Sequence, residues 1–289
     1  MVGSAAAATC AALGRSGRSK MKRDAVQLYW FTQLAARDGK TLDQMLPEVL
    51  ATVAEAGFSA IETDLAYCAT DETTEAFAAK LGAAGLGLAG LYAGGAMHDE
   101  SAKAAVAEII DRAARARDLG CPGISHNPNP IGREKTNAEV AHQAAALNDL
   151  GAGLADLGML LGVHTHAPEM SHNAREFRAN LDHTNPRHVG LCADFHWIYR
   201  GGGDPYELTK HYANRIVTTH LRNSLEAVWA ECFCAGDLDH ARIRKLLDAA
   251  HFAGPLVVEI AWEARTPNTR SPLENLRLSR AYLREAFGV

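Results

Sequence analysis

Between Leu160 and Glu259 four short apolar runs each break off at a side chain able to bind metal. Leu160-Leu161-Gly162-Val163 stops at His164-Thr165-His166, and Val189-Gly190-Leu191-Cys192-Ala193 stops at Asp194. Ile216-Val217-Thr218-Thr219 stops at His220, and Leu256-Val257-Val258 at Glu259. Each run has the length of a buried strand. In a closed parallel barrel the C-terminal ends of the strands converge on one mouth, where that architecture builds its active sites.

The rest of the chain repeats strand, turn and helix. Strands are predicted over 25–31, 58–62, 86–92, 121–125, 159–164, 189–194, 216–220 and 256–259. Helices are predicted over 41–56, 73–84, 99–119, 137–157, 174–181, 239–250 and 273–287, with a further one opened by Asp204 as N-cap and Pro205 in its first turn. Leu42, Met45, Leu46, Val49, Leu50 and Val53 recur at helical spacing, and Gly57 ends that helix. Eight units in about 260 residues make a single α/β domain, a (β/α)₈ barrel over 24–289. A doubly wound open sheet is the rival, but no Gly-x-Gly-x-x-Gly follows the first strand.

Composition narrows the function classes. At 47% hydrophobic and 22% charged residues, the 289-residue chain reads as an ordinary globular protein. A net charge of -5 with scattered Lys and Arg gives no footprint for nucleic acid. Residues 1–23 read as a disordered tail, since the alanine-rich stretch lacks the preceding positive charge of a secretory signal. No later run is long enough to span a bilayer, so no membrane association is expected. Cys10, Cys68, Cys121, Cys192, Cys232 and Cys234 have neither zinc-knuckle nor redox-pair spacing. A reducing, cytoplasmic setting and a homo-oligomer are expected.

A salt bridge or a hydrogen-bonded histidine at a barrel rim would account for any one of His164, Asp194, His220 and Glu259. Four such groups at four strand ends point to a shared cation, because unpaired charge there is expensive. Mixed oxygen and nitrogen donors suit one divalent ion, with Mn²⁺ favoured and Co²⁺, Mg²⁺, Fe²⁺ or Zn²⁺ admissible. Side chains alternate along a strand, so His164 and His166 project to the same side; one could bind metal while the other touches substrate. Glu62 could bind substrate or pair with an Arg. His126 and Asn127 could contact ligand or cap a loop, and Glu231 could hold a sugar hydroxyl or be solvated.

The ordered set Asp194-Phe195-His196-Trp197, Gly201-Gly202-Gly203-Asp204-Pro205, Arg215-Ile216, His220-Leu221-Arg222-Asn223-Ser224, Gly236-Asp237-Leu238-Asp239 and Val258-Glu259 resembles the xylose-isomerase-like TIM-barrel superfamily. That group holds sugar and sugar phosphate isomerases and epimerases, hydroxypyruvate isomerase and inosose dehydratase. The resemblance implies metal ligation by Asp194, His220 and Glu259, a strand-five ligand at or near His164, and contact of Arg222, His196 and Trp197 with substrate. Two departures stand out. Ketose epimerases of the group carry a Glu at the strand-five position, where this chain has His164-Thr165-His166 with Glu169 the nearest carboxylate. Trp197 stands where a His is usual. The His-x-His pattern is similar to the inosose dehydratase branch.

The resulting expectation is a metal-dependent isomerase or epimerase working through an enediolate of a ketose or related polyol ketone. Glu259 would bind metal and relay a proton, with His166 or Glu169 as the opposite acid or base. Loss of a β-hydroxyl would instead give an inosose dehydratase-like lyase. A non-catalytic sugar-binding barrel and an apurinic-type endonuclease are the remaining alternatives, the latter disfavoured by the charge.

Overall fold

The computed structural model describes residues 24–289, so the expectation of a tail over 1–23 lies outside the described residues. Eight parallel strands close into a barrel: Asp24–Gln27, Ala60–Asp64, Gly87–Gly95, Gly123–Pro128, Leu160–Val163, Val189–Asp194, Ile216–Leu221 and Leu256–Val258. The eighth strand pairs with the first, Asp24 opposite Leu256 and Val26 opposite Val258, which removes any free sheet edge. Each strand neighbours the next in chain order around the ring. The expected (β/α)₈ barrel is what the chain forms.

Strands here are buried on both faces, which is why they read as continuous apolar runs rather than alternating ones. One large core joins the outer strand faces to the helices and contains Trp30, Phe77, Phe195 and Phe233, each essentially inaccessible to solvent. A separate small cluster of Ala25, Ala60, Ala89 and Val257 fills the barrel low down, leaving the upper interior to polar side chains. The helices start where their caps dictate. Thr41 with Gln44, Thr136 with Glu139 and Ser271 with Glu274 form reciprocal capping boxes. Gly85 ends the helix Asp71–Ala84 at φ 68, a left-handed conformation that a side chain resists. No helix among the described residues is long and apolar enough to cross a membrane.

Several boundaries differ from the sequence reading. The first strand stops at Gln27, and Tyr29–Arg37 is a helix that buries Trp30 and Phe31, so these two aromatics pack rather than pair. The fourth strand runs on to Pro128, because the third is long enough to pair with it as far as Gly95. Pro128 is tolerated at that last position, where a missing N–H costs nothing. Among the further elements not expected are a short helix Phe195–Arg200 and a hairpin pairing Ser224–Leu225 with Val228–Trp229. The hairpin turn places Glu226 and Ala227 at φ 51 and 60, where Asn-Gly is usual. Asp237 compensates by accepting from both turn amides, at 3.1 and 2.8 Å.

Another strained stretch follows the fifth strand. His172, Asn173 and Ala174 have φ 52, 59 and 58, so the regular part of the helix Ser171–Asp182 begins only after them. His172 is exposed, and its replacement by Gly should raise unfolding stability by about 1 kcal/mol through relief of that conformation. Urea denaturation reads this directly, and a destabilised His172→Gly protein would mean that its side-chain contacts outweigh the strain.

Candidate metal centre

The sixth and seventh strands pair so that Asp194 lies beside His220. His164 follows the last residue of the fifth strand and extends its ladder by donating N–H to the His126 carbonyl at 2.8 Å. Glu259 does the same after the eighth strand, donating to the Leu221 carbonyl at 2.9 Å. The four side chains therefore point into one mouth, and one ligand atom from each lies within 4.8 Å of every other. All four residues are buried. Asp194 divides its carboxylate: Oδ1 accepts from the His196 and Trp197 amides at 3.0 and 2.8 Å, capping the short helix, while Oδ2 faces the centre.

The donor set fits a divalent cation. His220 Nδ1 lies 2.9 Å from Glu259 Oε2, yet this nitrogen makes no hydrogen bond, so the two atoms are close without being aimed at each other. Neighbouring ligands on an octahedral ion at about 2.1 Å lie on the order of 3 Å apart, which is this separation. Neither ring nitrogen of His164 has a hydrogen-bond partner, although the residue is only 1% exposed. Buried nitrogens left unpaired at the meeting point of two carboxylates suit a bound cation.

The electrostatics agree. Burial works to raise the Glu259 carboxyl, but the Arg222 guanidinium and the His220 ring outweigh it and hold Glu259 down at about 2. Asp194 is likewise held well below the usual carboxylate range, with Arg222 and His164 overcoming its burial. Burial opposes charge on His220, but Cys192, Glu62 and Glu259 around it keep its proton on well above the ordinary histidine value, and a cation would have to displace that proton to be ligated there. Arg222 donates through one guanidinium nitrogen to both Asp194, at 2.8 Å, and Glu259.

Glu62 stands behind the centre. Fully buried, it sits 2.9 Å from His220 Nε2, on the side of the ring away from Glu259. Its partner is a histidine rather than an Arg or a substrate, which corrects its expected role. Such a carboxylate fixes the tautomer and orientation of a ligating imidazole. Glu62→Gln should weaken Mn²⁺ binding by about 10–100-fold. Isothermal titration of the ion-free protein tests this, and an unchanged affinity would remove Glu62 from the centre.

Above the ligands opens a cavity of about 570 Å³, lined among others by Tyr92, His166, Trp197, Arg222, Trp229 and Glu259. His166 is pushed down to about 3 by burial and by its neighbour His164, so it is a neutral ring at ordinary pH. Its Nδ1 lies 3.1 Å from Asn127 Oδ1. Arg222 lies beside the rings of both Trp197 and Trp229, at 5.4 and 5.1 Å from their centres.

Four further expectations need correction. Glu169 is sealed beneath the loop, accepting from the His166 amide at 2.9 Å and from Asn127 Nδ2 at 3.4 Å, and it does not line the cavity. It positions His166 and Asn127 rather than meeting substrate. His126 is on the opposite strand face from Asn127, next to Gly95, and has no part in the mouth. His196 turns away to hold the hairpin, accepting from Trp229 Nε1 at 3.2 Å and reaching Ser224 Oγ at 2.9 Å. Glu231 clamps a distant loop through Thr269 and Arg270. Tyr92 and Trp229 are cavity residues that the sequence reading did not single out. Tyr92 carried the same signal as the ligands, since it stands near a strand C-terminus. Trp229 carried none, because the hairpin that presents it was not foreseen.

Burial sets the acid response of the ion-free protein. His126 and His196 are held at about 4 and His240 at about 3 by burial, against 6.5 when unfolded. The unfolded chain therefore binds more protons as pH falls below 6.5, costing up to about 1.4 kcal/mol per pH unit for each group. Glu259 adds a loss between 4.5 and about 2, its unfolded and folded values. His220 acts oppositely: its contribution is complete below 6.5 and fades as pH rises through its folded value. The urea midpoint should decline steadily from pH 6.5 downward. A flat midpoint to pH 4 would contradict the neutral buried histidines.

Comparison with known proteins supplies the remaining context. Residues 50–286 match the family model described as xylose isomerase-like TIM barrel. An inosose dehydratase of Clostridium perfringens is 29% identical over 160 residues, covering 49% of this chain and 53% of the relative. The chain thus spans about half the length of the curated relatives it matches. A sugar phosphate isomerase/epimerase from Parabacteroides distasonis superposes with a TM-score of 0.70 at 19% identity, covering 93% of this chain and 95% of that one. A D-allulose 3-epimerase from Methylomonas sp. superposes with a TM-score of 0.71 at 16% identity, covering 93% and 98%. Identities this low establish the fold alone.

Proposed function

The chain belongs to the xylose isomerase-like TIM barrel family, and on that premise we propose that it is a divalent-metal-dependent enzyme removing a proton beside the carbonyl of a sugar ketone or inosose. The observation that carries this reading is the convergence of His164, Asp194, His220 and Glu259 at the floor of the cavity. Mn²⁺ is the favoured ion, because two carboxylates and two imidazoles make a mixed, mainly hard donor set. When bound, such an ion polarises the substrate carbonyl and offsets the negative charge that develops as the α proton leaves.

The protein's own groups divide the remaining work. Glu259, ionised and facing the cavity, is the base that takes the α proton. Arg222 is held by Asp194 and Glu259 where it can donate to a substrate oxygen. His166, across the mouth, is a neutral ring that can hydrogen-bond a substrate hydroxyl on the other side. Trp197, Trp229 and Tyr92 exclude water and offer ring faces to the C–H surface of a polyol.

Two outcomes follow from the same first step. Return of the proton to carbon gives isomerisation or epimerisation, and departure of a β-hydroxyl gives dehydration. Dehydration is the stronger reading, because the relatives found by sequence are inosose dehydratases and the strand-five position holds His164 rather than the Glu of ketose epimerases. The test is incubation of the Mn²⁺-loaded protein with inososes and ketoses in D₂O, following deuterium at the α carbon and the ultraviolet absorbance of an unsaturated ketone. Exchange without the absorbance selects isomerisation. Neither signal with any polyol ketone would end the proposal.

A further inference from the structure

Directly below the four-ligand centre the barrel carries a second donor set, which shares two histidines with that centre and adds a thiol that the proposed reaction does not use. Cys192 precedes Asp194 by two residues on the sixth strand, so both side chains face the barrel interior, one layer apart. The thiol sulfur and one ring nitrogen each from His164 and His220 lie within 4.8 Å of one another. All three residues are buried, Cys192 completely. Gly162 of the neighbouring strand lies against Cys192, since a Cβ there would come within 3.2 Å of Cys192 Cβ. Neither ring nitrogen of His164 is hydrogen-bonded, so the ring is available to one donor set or the other. The carboxylate of Glu62 lies 2.9 Å from His220 Nε2.

We infer that His164, Cys192 and His220 form an inner cation site for thiophilic ions such as Zn²⁺ or Cd²⁺, and that its occupation competes with the upper centre. Two imidazoles and a thiolate make a softer set than the two carboxylates and two imidazoles above. Three protein ligands are also enough to hold zinc with a fourth position open. Binding forms an S–metal bond as the thiol proton leaves to solvent, so no oxidant or reductant is involved. Both sets draw on the same two histidines. An ion in the inner site therefore takes His164 and His220 away from Asp194 and Glu259, leaving the upper centre with carboxylates alone. The inference depends on the proposed function only for the identity of the competing ion, Mn²⁺.

The test is a Cd²⁺ titration of the ion-free full-length protein, read by the ultraviolet thiolate-to-cadmium charge-transfer band. It is run in a Cys232→Ser, Cys234→Ser background, because those two thiols neighbour each other in the loop after the hairpin. The parent should develop the band with one equivalent of Cd²⁺, and added Cys192→Ser should abolish it. Mn²⁺ binding by the Cys192→Ser protein, followed by electron paramagnetic resonance, shows that the barrel is intact; Cys192→Ala serves if the serine variant does not fold. Cd²⁺ should displace Mn²⁺ from the parent at a concentration at least tenfold lower than from the Cys192 variant. A parent without the band, or a band that survives loss of Cys192, overturns the inner site. A Cys192-dependent band in a protein that binds none of Mn²⁺, Co²⁺ and Mg²⁺ would leave the inner site standing and sink the metal-dependent reading above.

Discussion

Glu259→Gln should yield a folded protein whose turnover is about 10³-fold slower than wild type. The amide keeps the size of the carboxylate and can still accept from Arg222, so the mouth keeps its shape. What disappears is the group that takes the α proton, together with one charged ligand of the centre. Arg222 retains Asp194 as partner at 2.8 Å, so the guanidinium is not stranded in the interior. Turnover at saturating Mn²⁺ separates the two losses: if excess ion restores full rate, Glu259 is only a ligand. If the variant is fully active without added ion, the assignment of Glu259 as base is wrong.

Asp194 should give the largest effect on stability, and its two obvious replacements should differ. Asp194→Ala removes the cap of helix Phe195–Arg200, which satisfies two amides. It also removes a buried partner of Arg222. The cap is worth about 1 kcal/mol and the broken buried pair about 3–5 kcal/mol. At about 2–4 °C per kcal/mol for a domain of this size, the melting temperature should fall by roughly 10 °C or more. Asp194→Asn retains an oxygen that can accept from the His196 and Trp197 amides, so its loss should be smaller. Both variants should lose high-affinity Mn²⁺ binding, because neither offers a charged oxygen to the centre. Calorimetric scans with and without Mn²⁺ check this: wild type should be raised by the ion and the variants should not. An alanine variant that melts with wild type would show that the cap and the Arg222 pair contribute little.

His164, Asp194, His220 and Glu259 were legible because each ends a run that can only be a buried strand, and the barrel's closure brings those ends together whatever the loops do. His166 and Trp197 were legible for the same reason, lying within three residues of a strand end. Glu62 was found but given the wrong partner. His126 was given the wrong face, because the fourth strand runs past Ser125 and its last residues obey the alternation of a strand rather than the freedom of a loop. Glu169, His196 and Glu231 are polar residues near the mouth in sequence whose side chains turn to backbone amides and loop partners instead.

Chain order and apolar periodicity by themselves determined the architecture and the four convergent donors, since both follow from local pattern repeated eight times and closed on itself. Tertiary structure alone decided which polar groups touch the mouth. Glu62 reaches His220 across 158 residues of sequence, and Trp229 enters the cavity because His196 and Asp237 hold a hairpin in place. A buried polar atom takes whichever partner the packed barrel brings within hydrogen-bond distance, and no local pattern encodes that distance.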